Sequence, residues 1–190
     1  MNVAVRRRLK VGEFIEMIRP YPDEERWELL DGQPTLMAPQ NERHQAIVMN
    51  LLLRLGPAAD ARGCRALPGL GILNDEVDNY APIPDIVVRC GPLRPDGYAH
   101  DPVLIAEVLS PSTMSNDRGR KVEFYKALPS LRTLLIIYQD EIRVELWRRE
   151  AEDWRFSVLK GAETRLDVPD LEASLTLAEI YKGIPFTEGA

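Results

Sequence analysis

Ile86-Val-Val88, Val103-Leu-Ile-Ala106, Asp117-Arg-Gly-Arg-Lys121-Val-Glu-Phe-Tyr125 and Leu134-Leu-Ile-Ile-Tyr138 are the stretches that decide the fold. The first, second and fourth are short, near-continuous apolar runs. Central strands covered on both faces read this way. The third carries Val122, Phe124, Tyr125 and Leu128 at helical spacing, so a helix from Asp117 to Leu128 joins two of those strands. Strand, helix and strand in this order predict an α/β fold with a mixed central β-sheet flanked by helices.

The neighbouring segments fit that core. Asn41 is a candidate N-cap for a helix that runs to about Ala61, with Ile47, Val48, Leu51, Leu52 and Leu55 on one face and Gly63 closing it. Residues 64–73 alternate weakly around Gly69 and Gly71, which predicts a strand with a bulge. Trp27 to Leu30, Asp31-Gly32 and Pro34 to Met37 have the signature of a hairpin turning on Asp-Gly. Val11 to Ile18 reads as a short helix ended by Pro20 and Pro22. Downstream, Ile142, Val144 and Leu146 alternate with polar residues as a half-exposed hairpin partner does, and Trp154 to Val158 reads as an edge strand. Leu175 to Tyr181 reads as a C-terminal helix.

Length and composition bound what such a chain can be. At 190 residues and 45% hydrophobic content it reads as one globular domain, residues 11–190, preceded by a flexible tail, residues 1–10, that carries Arg6, Arg7, Arg8 and Lys10 and no acids. No apolar run approaches the roughly 18 residues that span a bilayer, and no membrane partner is expected. The arginines at the start are not followed by an apolar segment, so they do not read as a secretory signal. Cys64 and Cys90 read as small semi-buried residues without a C-x-x-C pair, and a reducing cytoplasm is the default location. The formal net charge is −6. That argues against a protein whose main task is to coat nucleic acid, but a nucleic-acid enzyme with a local basic patch remains compatible.

The residues that carry chemistry lie at strand ends. Pro84-Asp85 opens one apolar run, and Glu107 follows another. Two carboxylates on neighbouring strands can hold a hard divalent cation, and burying both without one is costly. Lys121, on the next helix, could orient or deprotonate a water and offset charge on a phosphate. Each residue also has a plainer reading. Asp85 alone could cap a turn, Glu107 could sit in a structural ion pair, and Lys121 could be a solvated helix residue.

These segments, with Ser110-Pro-Ser112 after Leu109 and Met37-Ala-Pro-Gln-Asn-Glu42-Arg-His44 upstream, resemble the Uma2 family of restriction-endonuclease-like proteins, also called DUF820. The resemblance covers about residues 12–182. It implies a PD-(D/E)XK nuclease core, restriction-endonuclease-like, with added β-hairpins. By that resemblance Asp85 and Glu107 ligate Mg²⁺ or Mn²⁺, and the backbone carbonyl of Val108 completes the inner shell. Glu42 binds through water or a second metal. The superfamily pattern has lysine two residues after Glu107, where Leu109 stands; Lys121 is the matching residue on the following helix.

The expected activity is metal-dependent hydrolysis of DNA phosphodiester bonds, with Asp85, Glu107 and Lys121 as the catalytic set. The alternative is a nuclease-fold module that binds DNA or metal with little or no turnover. Arg118 and Arg120 are candidate DNA contacts, and a homodimer would pair two sites for cutting both strands. Four further candidates read as supporting or incidental. His44 is two residues past Glu42 and so on another helical face, a polar helix-start residue. Glu28 reads as a paired hairpin acid that could approach the site. Ser112 and Thr113 read as a turn, and Gly69-Leu-Gly71 is too short for a phosphate loop.

Overall fold

The register of the central sheet follows from its apolar runs. In the computed structural model, which describes residues 7–22, 24–109 and 117–186, six strands pair in the order β10-β9-β8-β7-β5-β3. These are β3 (Cys64–Pro68), β5 (Ile86–Cys90), β7 (Pro102–Leu109), β8 (Thr133–Tyr138), β9 (Arg143–Glu150) and β10 (Asp153–Lys160). Only β7 and β8 run parallel; every other neighbouring pair is antiparallel. A parallel pair needs a crossover, and α3 (Asp117–Lys126) lies in it. The sheet is therefore mixed, as its pattern predicts.

Helices cover both faces. On one, α2 (Glu42–Asp60) lays Ile47, Leu51 and Leu55 over Val88, Leu104, Ala106 and Leu135. On the other, Val122, Tyr125 and Leu128 at α3 pack over Val87, Ile105, Leu109 and Leu134. All six residues of β8 are buried, as a strand sandwiched between helices requires. The Asn41 side chain accepts a hydrogen bond from the His44 amide at 2.9 Å, so the helix starts where its cap predicts. Pro57 lies inside α2 and costs roughly 3 kcal/mol. Burial of each large apolar side chain contributes about 1.5–3 kcal/mol, so the buried stripe outweighs it.

The remaining elements frame the site end of the sheet. α1 (Val11–Ile18) packs on the hairpin of β1 (Trp27–Leu30) and β2 (Gln33–Leu36), and Phe14, Leu29 and Ala81 form a small third core. Asp31 and Gly32 both have positive φ, the turn that Asp-Gly favours.

Four expectations change. Residues 64–73 are not one bulged strand: Gly69, at φ +59°, turns the chain out of the sheet, and β4 (Gly71–Ile72) pairs instead with β6 (Tyr98–Ala99). The C-terminal helix shrinks to one turn, α4 (Leu177–Ile180), because Leu175 belongs to a hairpin of β11 (Arg165–Val168) and β12 (Ala173–Thr176). Strands of four residues are too short for periodicity to separate them from a helix. The end of the expected tail is fixed to the body: the Leu9 amide donates to the Gly32 carbonyl at 2.8 Å, and Lys10 pairs with Asp78 at 2.9 Å. Finally, Cys64 and Cys90 face each other across β3 and β5 and are joined by a disulfide, which their separation of 26 residues does not reveal.

Candidate active site

Antiparallel register sets the two acids side by side. Ile86 pairs with Ala106, so the next step outward places Asp85 opposite Glu107. Residues opposite one another in such a pair have Cβ atoms about 4.5–5.5 Å apart. Asp85 lies just before β5, and Glu107 lies within β7 rather than beyond its end. Both side chains are 13% exposed, so each is largely withdrawn from water yet reachable.

Asp85 is held from two sides. Its Oδ2 accepts the Val108 backbone N–H at 2.7 Å and lies 3.2 Å from His44 Nε2. The Val108 peptide thus orients Asp85 through its amide. His44 is 2% exposed and its Nδ1 is buried without a hydrogen-bond partner among the described residues. It lies on the apolar stripe of α2 with Ile47, Val48, Leu51 and Leu55, and that spacing was the signal for its burial. Glu42 is not brought to the acid pair. It is exposed on the first turn, and two residues of helix turn it away from the face that carries His44.

Glu107 is held by α3. The Tyr125 hydroxyl donates to its Oε1 at 2.7 Å, and Lys121 Nζ lies 3.6 Å from the same oxygen. Lys121 and Tyr125 are four residues apart and share one helix face. Lys121 Nζ also donates to Glu28 Oε1 at 2.7 Å, and that oxygen accepts the Ile83 amide at 2.7 Å. Glu28 is therefore both a paired hairpin acid and a member of the site. Leu109, where a lysine is otherwise expected, fills the core under α3, so the ammonium arrives from the helix instead.

Burial sets the electrostatics. It pushes the Glu107 carboxyl up to about 7, with Lys121 pulling back and the Asp85 charge adding to the rise. Burial alone would lower the Lys121 ammonium, but Glu107 and Glu28 outweigh it and hold its pKa above the ordinary value. Lys121 is thus a fixed cation at neutral pH. A cation held there can orient water and stabilise negative charge.

The donor set fits a hard divalent cation. Glu28, Asp85 and Glu107 supply three carboxylates against the one ammonium of Lys121, which leaves an excess of buried negative charge. Among the described residues no group of three or more His, Cys, Asp or Glu side chains forms a ready-made metal cage. Mg²⁺ is commonly held by one or two carboxylates, with water and substrate phosphate filling its other positions. The pair Asp85 and Glu107 suits that mode.

A cleft of about 510 Å³ opens beside Asp85 and His44. Its walls include Arg26, the chain from Leu36 to Gln40, Gln45 and Val48 of α2, and Pro68-Gly69. Of the expected DNA contacts, Arg120 is half exposed and paired with Asp31 at 3.1 Å. The side chain of Arg118, and all of Ser112 and Thr113, lie outside the described residues. His100 is held between Asp75 and Asp96, at 3.3 and 3.0 Å, and takes no part in this site.

Comparison with known proteins bears on the family and the fold. The family described as "Uma2: Putative restriction endonuclease" matches residues 11–179. Two uncharacterized proteins of the cyanobacterium Synechocystis sp. PCC 6803 are similar in sequence. One, slr1290, is 28% identical over 166 residues, covering 85% of this chain and 86% of its own. The other, sll1609, is 28% identical over 174 residues, covering 88% of this chain and 96% of its own. Among solved structures, a protein from Anabaena variabilis described as a "putative nuclease belonging to DUF820" superposes with a TM-score of 0.72. It shares 19% identity and covers 91% of this chain and 97% of its own, so it shares the fold. No helix among the described residues is long and apolar enough to cross a membrane.

Proposed function

The chain belongs to the Uma2 family, and on that premise we propose that it is a metal-dependent endonuclease acting on phosphodiester bonds of DNA. The observation that carries the proposal is the pairing of Asp85 with Glu107 across β5 and β7, with the Lys121 ammonium 3.6 Å from Glu107. Two carboxylates and a cation around one point are what phosphodiester hydrolysis needs.

Each residue then has a defined task. Val108 N–H and His44 engage Asp85 Oδ2, which would leave Oδ1 for the cation. Tyr125 engages Glu107 Oε1 in the same way. A cation held by the two acids, Mg²⁺ or Mn²⁺, supplies Lewis acidity toward the scissile phosphate and the attacking water. Lys121 donates hydrogen bonds to that water or to a phosphate oxygen, and its charge offsets what develops in the transition state. Glu28 holds the ammonium in place. Cutting both strands would call for two copies; the β9–β10 hairpin, with Phe156 and Val158 exposed at the sheet edge, is the surface we assign to that contact.

One observation favours a second reading. Lys121 is closer to Glu28 than to Glu107, at 2.7 against 3.6 Å. If Glu28 keeps the ammonium, the domain binds DNA or metal without turnover. Incubation with supercoiled plasmid and Mg²⁺ or Mn²⁺ decides between them. The nuclease produces nicked circles, and Asp85→Asn and Glu107→Gln abolish the nicking while the circular dichroism spectrum is retained. Nicking at full rate by either variant would remove the metal-dependent mechanism. DNA binding without a nick under any divalent ion supports the second reading.

A further inference from the structure

The cleft beside Asp85 has a feature that the catalytic set does not use. Arg26 lies on its wall, exposed, in the segment that leads into β1. Its guanidinium rests on the bare Cα of Gly69: a Cβ built there would fall 2.0 Å from Nη2. Gly69 has φ +59°, a conformation that glycine adopts without cost. Its own N–H donates to the backbone carbonyl of Asp85 at 3.0 Å. The glycine thus ties a cation to the backbone of a candidate metal ligand. The contacts run from guanidinium to glycine to the backbone of Asp85.

The other groups on the cleft say what it can take. Glu24 and Glu25 also line it, and Glu25 is engaged by the Trp27 indole N–H at 3.2 Å. Among the described residues no carboxylate forms an ion pair with Arg26. Leu36, Met37 and Val48 offer apolar surface, and Gln40 and Gln45 offer amides. A planar fork of donors, apolar walls and amides suit a nucleotide unit, whose phosphate takes the fork, whose sugar and base faces take the apolar wall, and whose base edge takes an amide. A cleft that accepted only a cation would have no use for the guanidinium.

We propose that this cleft is the channel for the substrate strand, in which Arg26, seated on Gly69, holds a phosphate next to the one cut at Asp85. The assignment rests on the nuclease reading and extends it to the residues that bind the flanking nucleotide. Arg26 is a binding residue here. It does not touch the reacting atoms, so it contributes to KM more than to kcat.

The test separates the two ideas by measuring binding without turnover. Fluorescence anisotropy of a labelled oligonucleotide, single-stranded and duplex, is followed with Ca²⁺ in place of Mg²⁺ at several salt concentrations. Arg26→Ala should weaken binding about tenfold and lower the slope of log affinity against log salt by about 0.7 for a single strand or about 0.9 for a duplex, the loss of one phosphate contact. Arg26→Lys should recover part of the slope. Gly69→Ala, which moves the guanidinium off its seat but keeps its charge, should weaken binding in the same direction by less than Arg26→Ala, with the fold checked by circular dichroism. Unchanged affinity and slope in Arg26→Ala, while wild type binds, overturn the channel and leave the nuclease reading standing. A wild-type protein that binds neither form overturns both.

Discussion

Lys121 on α3 donates to Glu28 on β1 over 2.7 Å, across 93 residues of sequence. The pair ties the N-terminal hairpin to α3, and it fixes the ammonium 3.6 Å from Glu107. Both partners are largely buried, with 19% and 7% of their side chains exposed. Without Glu28 the ammonium keeps Glu107 at 3.6 Å as its partner, but a buried hydrogen bond to a charged group is lost, worth about 1.5–3 kcal/mol.

Glu28→Ala should therefore destabilise the fold by about 2–4 kcal/mol, because it also strands the Ile83 amide. Glu28→Gln keeps an acceptor for that amide and should cost less. Urea denaturation at neutral pH measures both. If Glu28 anchors a catalytic ammonium, Glu28→Gln also lowers kcat on plasmid DNA; an unchanged kcat would leave Glu28 a purely structural residue.

The raised carboxyl of Glu107 makes stability depend on pH and metal together. A carboxyl near 4.5 when unfolded and about 7 when folded binds more protons in the folded state between those values. Its favourable contribution is whole below about pH 4.5 and is lost as the pH rises through about 7. The metal-free protein should then lose melting temperature across that window. A divalent cation compensates the ionised form, so Mg²⁺ should raise the melting temperature more at pH 8 than at pH 5. An equal rise at both values would show that the cation binds elsewhere.

Tyr125→Phe isolates one contributor to that carboxyl. The hydroxyl donates to Glu107 at 2.7 Å and favours its ionised form. Hydrogen bonds to charged groups are worth about 1.5–3 kcal/mol, and 1.36 kcal/mol corresponds to one unit of pKa. Removing the hydroxyl should move the acid limb of the pH–rate profile upward by about one to two units. Activity at pH 6 then falls more than activity at pH 8. A profile that keeps its shape would place Tyr125 outside the site's electrostatics.

The sheet was legible because its central strands are continuous apolar runs, and β8 is buried along its whole length. The pair Asp85 and Glu107 was legible because acids next to such runs need partners. Lys121 was legible through the family resemblance, since spacing alone would leave it on a solvated face. Tyr125 and His44 were not. Both lie on apolar stripes, where a hydroxyl or an imidazole counts as a filler until the facing acid is known. Glu28 was legible as a hairpin acid that could approach the site, whereas Arg26, just before β1, reaches the cleft through long-range packing that no local pattern encodes. Glu42 was placed by motif, and helix geometry turned it away.

His44 offers the sharpest test of how Asp85 is oriented. Its Nε2 lies 3.2 Å from the same Oδ2 that accepts the Val108 amide, so Asp85 has one donor from the backbone and one from a side chain. Only the second can be removed by substitution. Partners of this kind hold a metal ligand in its productive rotamer, and losing them typically costs about 10–100-fold in metal affinity or activity. His44→Ala should weaken Mg²⁺ binding by that factor in isothermal titration, with little loss of fold because α2 keeps Ile47, Leu51 and Leu55 in the core. His44→Gln can present an amide donor toward Asp85 and should recover part of the affinity. Were the alanine variant to bind Mg²⁺ as tightly as wild type, Val108 alone would be holding Asp85, and the buried imidazole would serve packing only.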